Sequence, residues 1–258
     1  MSVLSANVAQ VDAPRVPVEH PWRVLGLQLL GILAAVAVLM IWVLNADLSE
    51  TERTTLDPAT LWGYTVEHVS LTMMAAAIVL VIAIPLGIVL TRPSLRILST
   101  PVMAIANIGQ AAPAIGLVVI LAFWLGFGYW AAVIALVLYA ILPVLTNTMV
   151  GLRQVDERLV EAGRGMGMSS MAVLLKVELP LAVPVMLSGI RTALVLLVGT
   201  ATLATFINGG GLGILINTGV NLNLTAVLVA GSLLVALLAL LIDWLGRVVE
   251  QLARPKGL

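Results

Sequence analysis

Charged side chains are the residues best able to do chemistry in this sequence, and many of them lie in one stretch. Eight charged residues fall between positions 153 and 178: Arg153, Asp156, Glu157, Arg158, Glu161, Arg164, Lys176 and Glu178. Long apolar segments flank this stretch on both sides, so it must lie in water. No pair of a nucleophile and a base stands out, and we expect the stretch to act by binding rather than by catalysis.

The sequence also contains no recognisable motif for binding a nucleotide or a metal ion. No Walker A sequence occurs, so the chain cannot bind ATP through a phosphate-binding loop of its own. Gly163, Gly165 and Gly167 do not form a dinucleotide fingerprint, because no strand precedes them and the third glycine is misplaced. Cysteine is absent, and the two histidines, His20 and His68, are too few and too far apart for a metal site. We therefore expect no catalytic residue, no metal and no bound cofactor.

The charged stretch is predicted to begin with a short helix. Asp156 is its N-cap candidate, because a carboxylate there satisfies unpaired backbone N–H groups and suits the helix dipole. The helix should run toward Ala162. Gly163, Gly165 and Gly167 are then expected to break it.

A second short helix is predicted after this glycine joint. Ser169 or Ser170 can cap it, and Pro180 and Pro184 should limit its continuation. Three apolar residues fall on one face at i, i+3, i+4 spacing: Met171, Leu174 and Leu175. A short helix with an exposed apolar stripe outside the membrane is suited to docking into a groove of another protein.

The spacing of this stretch resembles a known family. Glu161-Ala162-Gly163 is followed after three residues by Gly167, and after nine more by Val177-Glu178-Leu179-Pro180. This pattern resembles the EAA loop of ABC importer permeases, in which the loop forms the coupling helix that docks on a cytoplasmic ATPase. Gly163 stands where Ala is usual, a departure typical of the osmoprotectant branch. The residues expected to couple to the ATPase are called the coupling set: Glu161, Ala162, Gly163, Gly167, Met171, Leu174, Leu175, Leu179 and Pro180.

Two further stretches are similar to osmoprotectant permeases. One covers residues 199–207 with the glycine-rich turn at 209–213, and the other covers residues 67–72. Together the likeness covers roughly residues 62–250. It implies three kinds of partner: ATPase subunits that bind the ATP, a second permease subunit that is identical or a sister chain, and an external solute-binding protein.

Composition predicts an integral membrane protein. The 258-residue chain is 61% hydrophobic and only 10% charged, whereas a soluble domain would be about 25% charged. Its net charge of zero gives no reason to expect nucleic acid as a partner, and membrane lipid is the expected surrounding. Since a spanning helix needs about 20 apolar residues, the chain is predicted to be all-α with about six transmembrane helices. The predicted spans are 24–44, 66–90, 98–125 (interrupted by Pro101, Gly109 and Pro113), a fourth from about 130 to 150, 185–206 and 224–245.

Basic residues predict the orientation of these spans. With a cytoplasmic N-terminus, Arg53 is the one basic residue left outside, and Arg191 falls early in the fifth span near the inner face. The charged stretch between the fourth and fifth spans then lies in the cytoplasm. The expected organisation in a bacterial inner membrane is a flexible cytoplasmic tail at 1–21, a transmembrane domain at 22–250 with a cytoplasmic coupling loop at 153–183, and a cytoplasmic C-terminal tail at 251–258.

Polar residues inside the spans are candidates for a substrate path. They are called the path set: Asn107, Gln110, Asn147, Thr200, Thr202 and Thr205. The alternative for each is a hydrogen bond between helices, worth about 0.6 kcal/mol on average. Glu67 and His68 are expected to be solvated at the membrane surface, and Asp243 is expected to pair with Arg247 one turn later.

The resulting hypothesis is a permease subunit of an ATP-driven ABC importer for compatible solutes such as glycine betaine, choline, carnitine or proline. Alternatives at this stage are an importer permease for another small polar solute such as an amino acid, an ion-coupled secondary carrier, and a membrane scaffold that recruits a partner through the same loop. A carrier would need ionisable residues in the span centres, which hold almost none.

Overall fold

The computed structural model describes residues 21–253, and within them the fold is helical without any strand. The α-helices are α1 (Pro21–Asn45), α2 (Glu50–Thr55), α3 (Pro58–Thr91), α4 (Ser99–Ala111), α5 (Ala114–Leu125), α6 (Tyr129–Arg153), α7 (Glu157–Gly165), α8 (Ser170–Val173), α9 (Leu179–Ala201), α10 (Gly213–Asn221) and α11 (Thr225–Ala253). The tail predicted at 1–21 lies, apart from Pro21, outside the described residues. The tail predicted at 251–258 is helical as far as Ala253.

Five of the described helical segments are long and apolar enough to cross a membrane. They are Trp22–Asn45, Pro58–Thr91, Tyr129–Arg153, Ser170–Ile207 and Thr225–Ala253. The second begins eight residues before the predicted start of 66, because Asp57 caps it: its Oδ2 accepts a hydrogen bond from the Ala59 N–H at 3.0 Å. These segments confirm the all-α membrane architecture.

The predicted third span is not one straight helix. Its two halves, Arg96–Ala111 and Ala114–Leu125, meet at a bend of 100°. Pro113 causes the break, because proline lacks an N–H and forces the preceding residue out of the helical region; Ala112 accordingly has φ −62° and ψ 142°. Residues 21–253 then provide up to six candidate spans, if this bent pair counts as one.

The fifth span is longer than predicted because Pro180 and Pro184 do not end it. Helix α8, a π-helical turn at Leu174–Glu178 and α9 run on as one segment, Ser170–Ile207. In the π-helical turn the Leu179 N–H donates to the Leu174 carbonyl, five residues back. We attribute the tolerance of Pro180 to its position in the first turn of α9, directly after this wider turn. Pro184 lies inside α9, where membrane helices tolerate proline if neighbouring groups satisfy the freed carbonyl.

Helix α6 lies at the centre of the bundle and packs against α3, α4, α5 and α9. Small residues allow these close approaches. A side-chain carbon added to Gly87 of α3 would lie 2.7 Å from Thr148 Cγ2, and one added to Gly189 of α9 would lie 2.7 Å from the Pro143 carbonyl oxygen. Helix α1 lies outside this centre and packs on α11. The bundle thus fixes the positions of the segments that connect its helices.

Helix α2, which the sequence analysis missed, is held by a capping box. The Ser49 N–H and hydroxyl donate to Glu52 Oε2 at 3.0 and 2.8 Å, and the Glu52 N–H donates to Ser49 Oγ at 3.3 Å. Glu52 Oε1 also accepts from the Ala226 N–H at 3.4 Å, which ties α2 to the start of α11. These bonds lower the pKa of Glu52, and the bond from the Ser49 backbone N–H has the largest effect.

We expect the order of α2 to depend on pH. Because the pKa of Glu52 is lower in the folded protein, the stabilisation is fully present above the unfolded value of about 4.3 and is lost as the pH falls through the folded value. Hydrogen-exchange protection factors of α2 should therefore be constant from pH 7 to about pH 4.5 and should decrease below that. Glu52→Gln should remove this dependence and Glu50→Gln should keep it. A flat profile in the unsubstituted protein would contradict the assignment.

Candidate coupling loop and transport path

The loop between α6 and α9 begins with helix α7, whose N-cap is confirmed. Asp156 Oδ1 accepts a hydrogen bond from the Arg158 N–H at 2.9 Å. The helix does not stop at Ala162, however, and it runs through Gly163 to Gly165. Glycine lowers helix stability by only about 1 kcal/mol, which packing can offset. The expected break at these two glycines was therefore wrong.

Gly167 makes the reversal after α7. Its φ of +82° is the left-handed conformation that favours glycine. Its N–H donates to the Arg164 carbonyl at 2.9 Å, and the Met168 N–H donates to the Gly163 carbonyl at 3.2 Å. This pair of bonds is a Schellman motif, which satisfies the last carbonyls of a helix. The joint thus depends on one glycine, not on three.

Helix α8 begins at the predicted cap and directs part of its apolar stripe outward. Ser169 Oγ accepts from the Ala172 N–H at 3.3 Å. Met171 and Leu175 are 63% and 56% exposed. Leu174 instead packs against the apolar cluster of Leu152, Ala182 and Met186 at the loop side of the bundle.

The structure divides the coupling set into two groups. Six members are exposed: Glu161, Ala162, Gly167, Met171, Leu175 and Pro180. The other three pack within the chain: Gly163, Leu174 and Leu179. A carbon added to the buried Gly163 would lie 3.4 Å from Val173 Cγ2, an ordinary contact, so alanine would also fit there. The exposed group is the part of the loop that a partner can reach.

An ion pair joins the loop to the end of α3. Arg92 Nη1 donates to Glu178 Oε1 at 3.2 Å, and Nη2 donates to Oε2 in a shorter contact. The Glu178 side chain is only 9% exposed, whereas that of Arg92 is 32% exposed. Paired N–H groups of arginine suit the two oxygens of a carboxylate, and such bonds are stronger than neutral ones. The π-helical turn is therefore attached to a second span.

A second group of charges joins the middle of α9 to the C-terminal part of α11. The predicted pair is confirmed, because Arg247 Nε lies 2.8 Å from Asp243 Oδ2. Arg191 extends it, with Nε 3.4 Å from Asp243 Oδ1 and Nη1 2.9 Å from Glu250 Oε2. Gly246 allows this approach, since a carbon added there would lie 3.0 Å from Arg191 Cγ. We assign this network a structural role.

The path set is distributed between the two halves of the bundle. Asn107 lines a cavity of about 450 Å3 between α4 and α6 on the loop side, with Thr146 and Arg153. Thr202 and Thr205 line another of about 360 Å3 on the far side, where α3 and α6 begin and α9 ends. Asn217 and Asn221 complete the polar part of the far-side cavity and were missed in the sequence analysis.

Most of the path set forms hydrogen bonds within its own helix. Asn107 and Asn147 donate to the carbonyls of the fourth residue back at 2.7 and 2.9 Å. Thr200 donates to the Leu196 carbonyl, four residues back, at 2.8 Å, and Thr202 donates to the Gly199 carbonyl, three residues back, at 2.7 Å. These bonds do not connect helices, which was the alternative considered above. Gln110 is half-buried near the end of α4, just before the bend.

The expectation for His68 was wrong, because it is fully buried rather than solvated. Its Nε2 is 2.9 Å from the Val198 carbonyl oxygen of α9, which requires a donating N–H on that nitrogen. Its Nδ1 has no hydrogen-bond partner in the described part of the chain. Glu67 is exposed as expected, but its Oε2 accepts from the Gly211 N–H at 3.0 Å. The partners of His68 and Glu67 lie 130 and 144 residues away in the sequence. The residues around positions 67 and 68 therefore could not have predicted these two bonds.

Known proteins share this sequence and fold. Residues 83–255 match the family described as binding-protein-dependent transport system inner membrane component. The glycine betaine/carnitine/choline transport system permease protein OpuCB of Bacillus subtilis is 39% identical over 74% of this chain and 88% of its own. The choline transport system permease protein OpuBB of the same organism is 40% identical over 75% and 88%. A chain of the MetNI methionine ABC transporter in inward-facing conformations matches with a TM-score of 0.69 and 26% identity, over 81% of this chain and 100% of its own.

The helical bundle with its spans and its connecting loop defines a multi-pass membrane transport subunit. The chain belongs to the family of inner-membrane components of binding-protein-dependent transport systems. It is an ABC transporter permease and not an enzyme, because in such systems a separate ATPase subunit hydrolyses the ATP.

Proposed function

We propose that this permease imports compatible solutes that carry a trimethylammonium group: glycine betaine, choline and carnitine. The observation that carries the solute class is the identity of 39% and 40% with relatives named for these solutes, over about three quarters of the chain. The structural neighbour named for methionine shares only 26%. Methionine is therefore the competing solute that a test has to include.

The exposed part of the coupling set is proposed to dock on the ATPase. Met171 and Leu175 would enter an apolar groove of that subunit, while Glu161 lies on α7 beside them. The permease would work as a pair, with itself or a sister chain, and receive its solute from an external binding protein. This arrangement places the loop and both termini in the cytoplasm and the far side outside, in agreement with the distribution of basic residues.

Uptake into reconstituted vesicles tests the function. The permease is assembled with its ATPase and binding protein, and labelled choline, glycine betaine, carnitine and methionine are supplied outside. We expect accumulation of the trimethylammonium solutes only when ATP is present on the ATPase side, and no effect of an ionophore that collapses ion gradients. Uptake of methionine alone would contradict the solute class. Uptake that needs an ion gradient and no ATP would contradict the ABC importer mechanism.

Replacing Gln110 tests the path. We expect Gln110→Ala to reduce uptake about threefold, the equivalent of losing one contact of about 0.6 kcal/mol. Association with the ATPase should be unchanged, because Gln110 lies outside the coupling set. Gln28→Ala in α1 is the matched control and should transport normally. Loss of ATPase association in the Gln110 variant, measured by co-purification, would remove this residue from the path.

A further inference from the structure

A third cavity, of about 500 Å3, lies on the far side of the bundle and has no role in the coupling or path sets. It is an open pocket bordered by the first third of α3, the start of α6 and the glycine-rich turn that follows α9. We call it the Glu67 cavity; its side-chain lining includes Tyr64, Glu67, Ser70, Tyr129, Asn208 and Ile214. Its volume is within the range of small-molecule sites.

The backbone around Glu67 is shaped to hold its carboxylate in place. Gly210 and Gly211 have φ of +84° and +89°, and the Gly211 N–H donates to Glu67 Oε2. A carbon added to Gly210 would lie 2.8 Å from the same oxygen. The neighbouring His68 fixes α3 to α9 through the Val198 carbonyl. The carboxylate is therefore positioned by the fold, without a ligand.

The Glu67 cavity has a negative charge that no lining residue neutralises. Neither arginine nor lysine is among its lining residues. Glu67 accepts one hydrogen bond from the described residues, at Oε2 from the Gly211 N–H, and its side chain is otherwise exposed to solvent. A carboxylate is an acceptor only, so a positively charged ligand is its natural complement.

The remaining lining favours a cation that has methyl groups instead of N–H groups. Two phenol rings, Tyr64 and Tyr129, contribute to it. The Tyr129 hydroxyl already bonds to Ser70, at 3.2 Å to Oγ and 3.3 Å to the carbonyl oxygen, which fixes that ring. Aromatic rings attract quaternary ammonium groups, which cannot donate hydrogen bonds.

We propose that the Glu67 cavity binds the trimethylammonium group of the transported solute on the side from which it is taken up. Glu67 supplies the charge, and Tyr64 and Tyr129 supply the ring surface. The identity of the solute rests on the proposed function. The headgroup of phosphatidylcholine carries the same chemical group, so lipid and solute have to be separated by experiment.

Equilibrium binding to the full chain tests this site. The protein is placed in nanodiscs of phosphatidylglycerol and phosphatidylethanolamine, and binding of labelled choline is measured. We expect Glu67→Gln to weaken binding at least tenfold, while Asp47→Asn, which removes an exposed carboxylate on the same side, leaves it unchanged. Tyr64→Phe should bind normally and Tyr64→Leu should bind more weakly. The uncharged isostere 3,3-dimethylbutanol should not compete.

Three results of the choline-binding assay would overturn the assignment. These are no choline binding by the unsubstituted protein, equal binding by Glu67→Gln, and competition by 3,3-dimethylbutanol as strong as by unlabelled choline. Occupancy that occurs only when phosphatidylcholine is in the disc would assign the cavity to lipid and also overturn it. Vesicle uptake separates this failure from that of the proposed function, because choline uptake that persists in Glu67→Gln removes the cavity and leaves the importer.

Discussion

Reversing the charge of either Arg92 or Glu178 is expected to abolish ATP-driven uptake and to lower the unfolding temperature of the permease. Removing one partner of a buried ion pair costs about 3–5 kcal/mol, since the other charge is left without compensation. Because the Arg92 side chain is partly exposed, we expect a loss of stability near the lower end of that range. Arg92→Glu and Glu178→Arg should each show the loss, measured as uptake and as thermal unfolding in detergent.

The double variant Arg92→Glu with Glu178→Arg distinguishes the pair from its surroundings. We expect it to recover a large part of the uptake, because the attraction is restored with the charges exchanged. Arg247→Glu is the comparison variant and should lose less uptake, because the Arg247 side chain is 48% exposed and Asp243 keeps its contact with Arg191. Full uptake by Glu178→Arg alone, or a double variant no better than the single ones, would contradict the role of this contact.

Replacing Gly167 by valine is expected to reduce ATPase association and uptake at least tenfold while membrane insertion stays normal. A side-chain carbon at this position meets nothing within 4 Å, so the cause is the backbone and not a clash. The left-handed conformation costs an L-residue about 1–2 kcal/mol, and more when it is β-branched. The Schellman motif should open, and the angle between α7 and α8 should change.

Gly165 provides the control for this position. It also has open space around it, but it lies within α7 and has no positive φ. Gly165→Val should therefore keep most of the association and uptake. Gly167→Asn should be intermediate, because asparagine tolerates the left-handed region. Normal ATP-driven uptake by Gly167→Val would count against the assignment of this loop as the coupling element.

Local features of the fold could be predicted from the sequence, because their partners lie within a few residues. The caps at Asp156 and Ser169 and the break at Pro113 depend on the chemistry of one or two neighbours. The wrong predictions concern positions where packing overrides the local conformational preference of a residue. Gly163 and Gly165 continue a helix that they were expected to end, and α9 begins at Leu179 and continues through Pro180 and Pro184.

The contacts that connect distant segments were not predictable from residue types. Arg92 and Glu178 are 86 residues apart, and the sequence between them contains eight other charged residues, so residue types alone give no reason to pair these two. His68 was assigned to the membrane surface because it lies at the start of the predicted second span, and only the fold brings the Val198 carbonyl to it. The family resemblance predicts which loop couples to the ATPase, but it did not indicate that this loop is joined to the end of α3 through Arg92 and Glu178.

The continuous segment Ser170–Ile207 has a mechanical consequence. Its 38 residues measure about 57 Å at the helical rise of 1.5 Å per residue, nearly twice the thickness of the hydrocarbon layer. One end exposes Met171 and Leu175, and near the other end the Val198 carbonyl holds His68 beside Glu67. The segment is helical throughout, with no flexible linker between these ends. A tilt of the exposed end would therefore move the opposite end of the same helix, on the other side of the membrane.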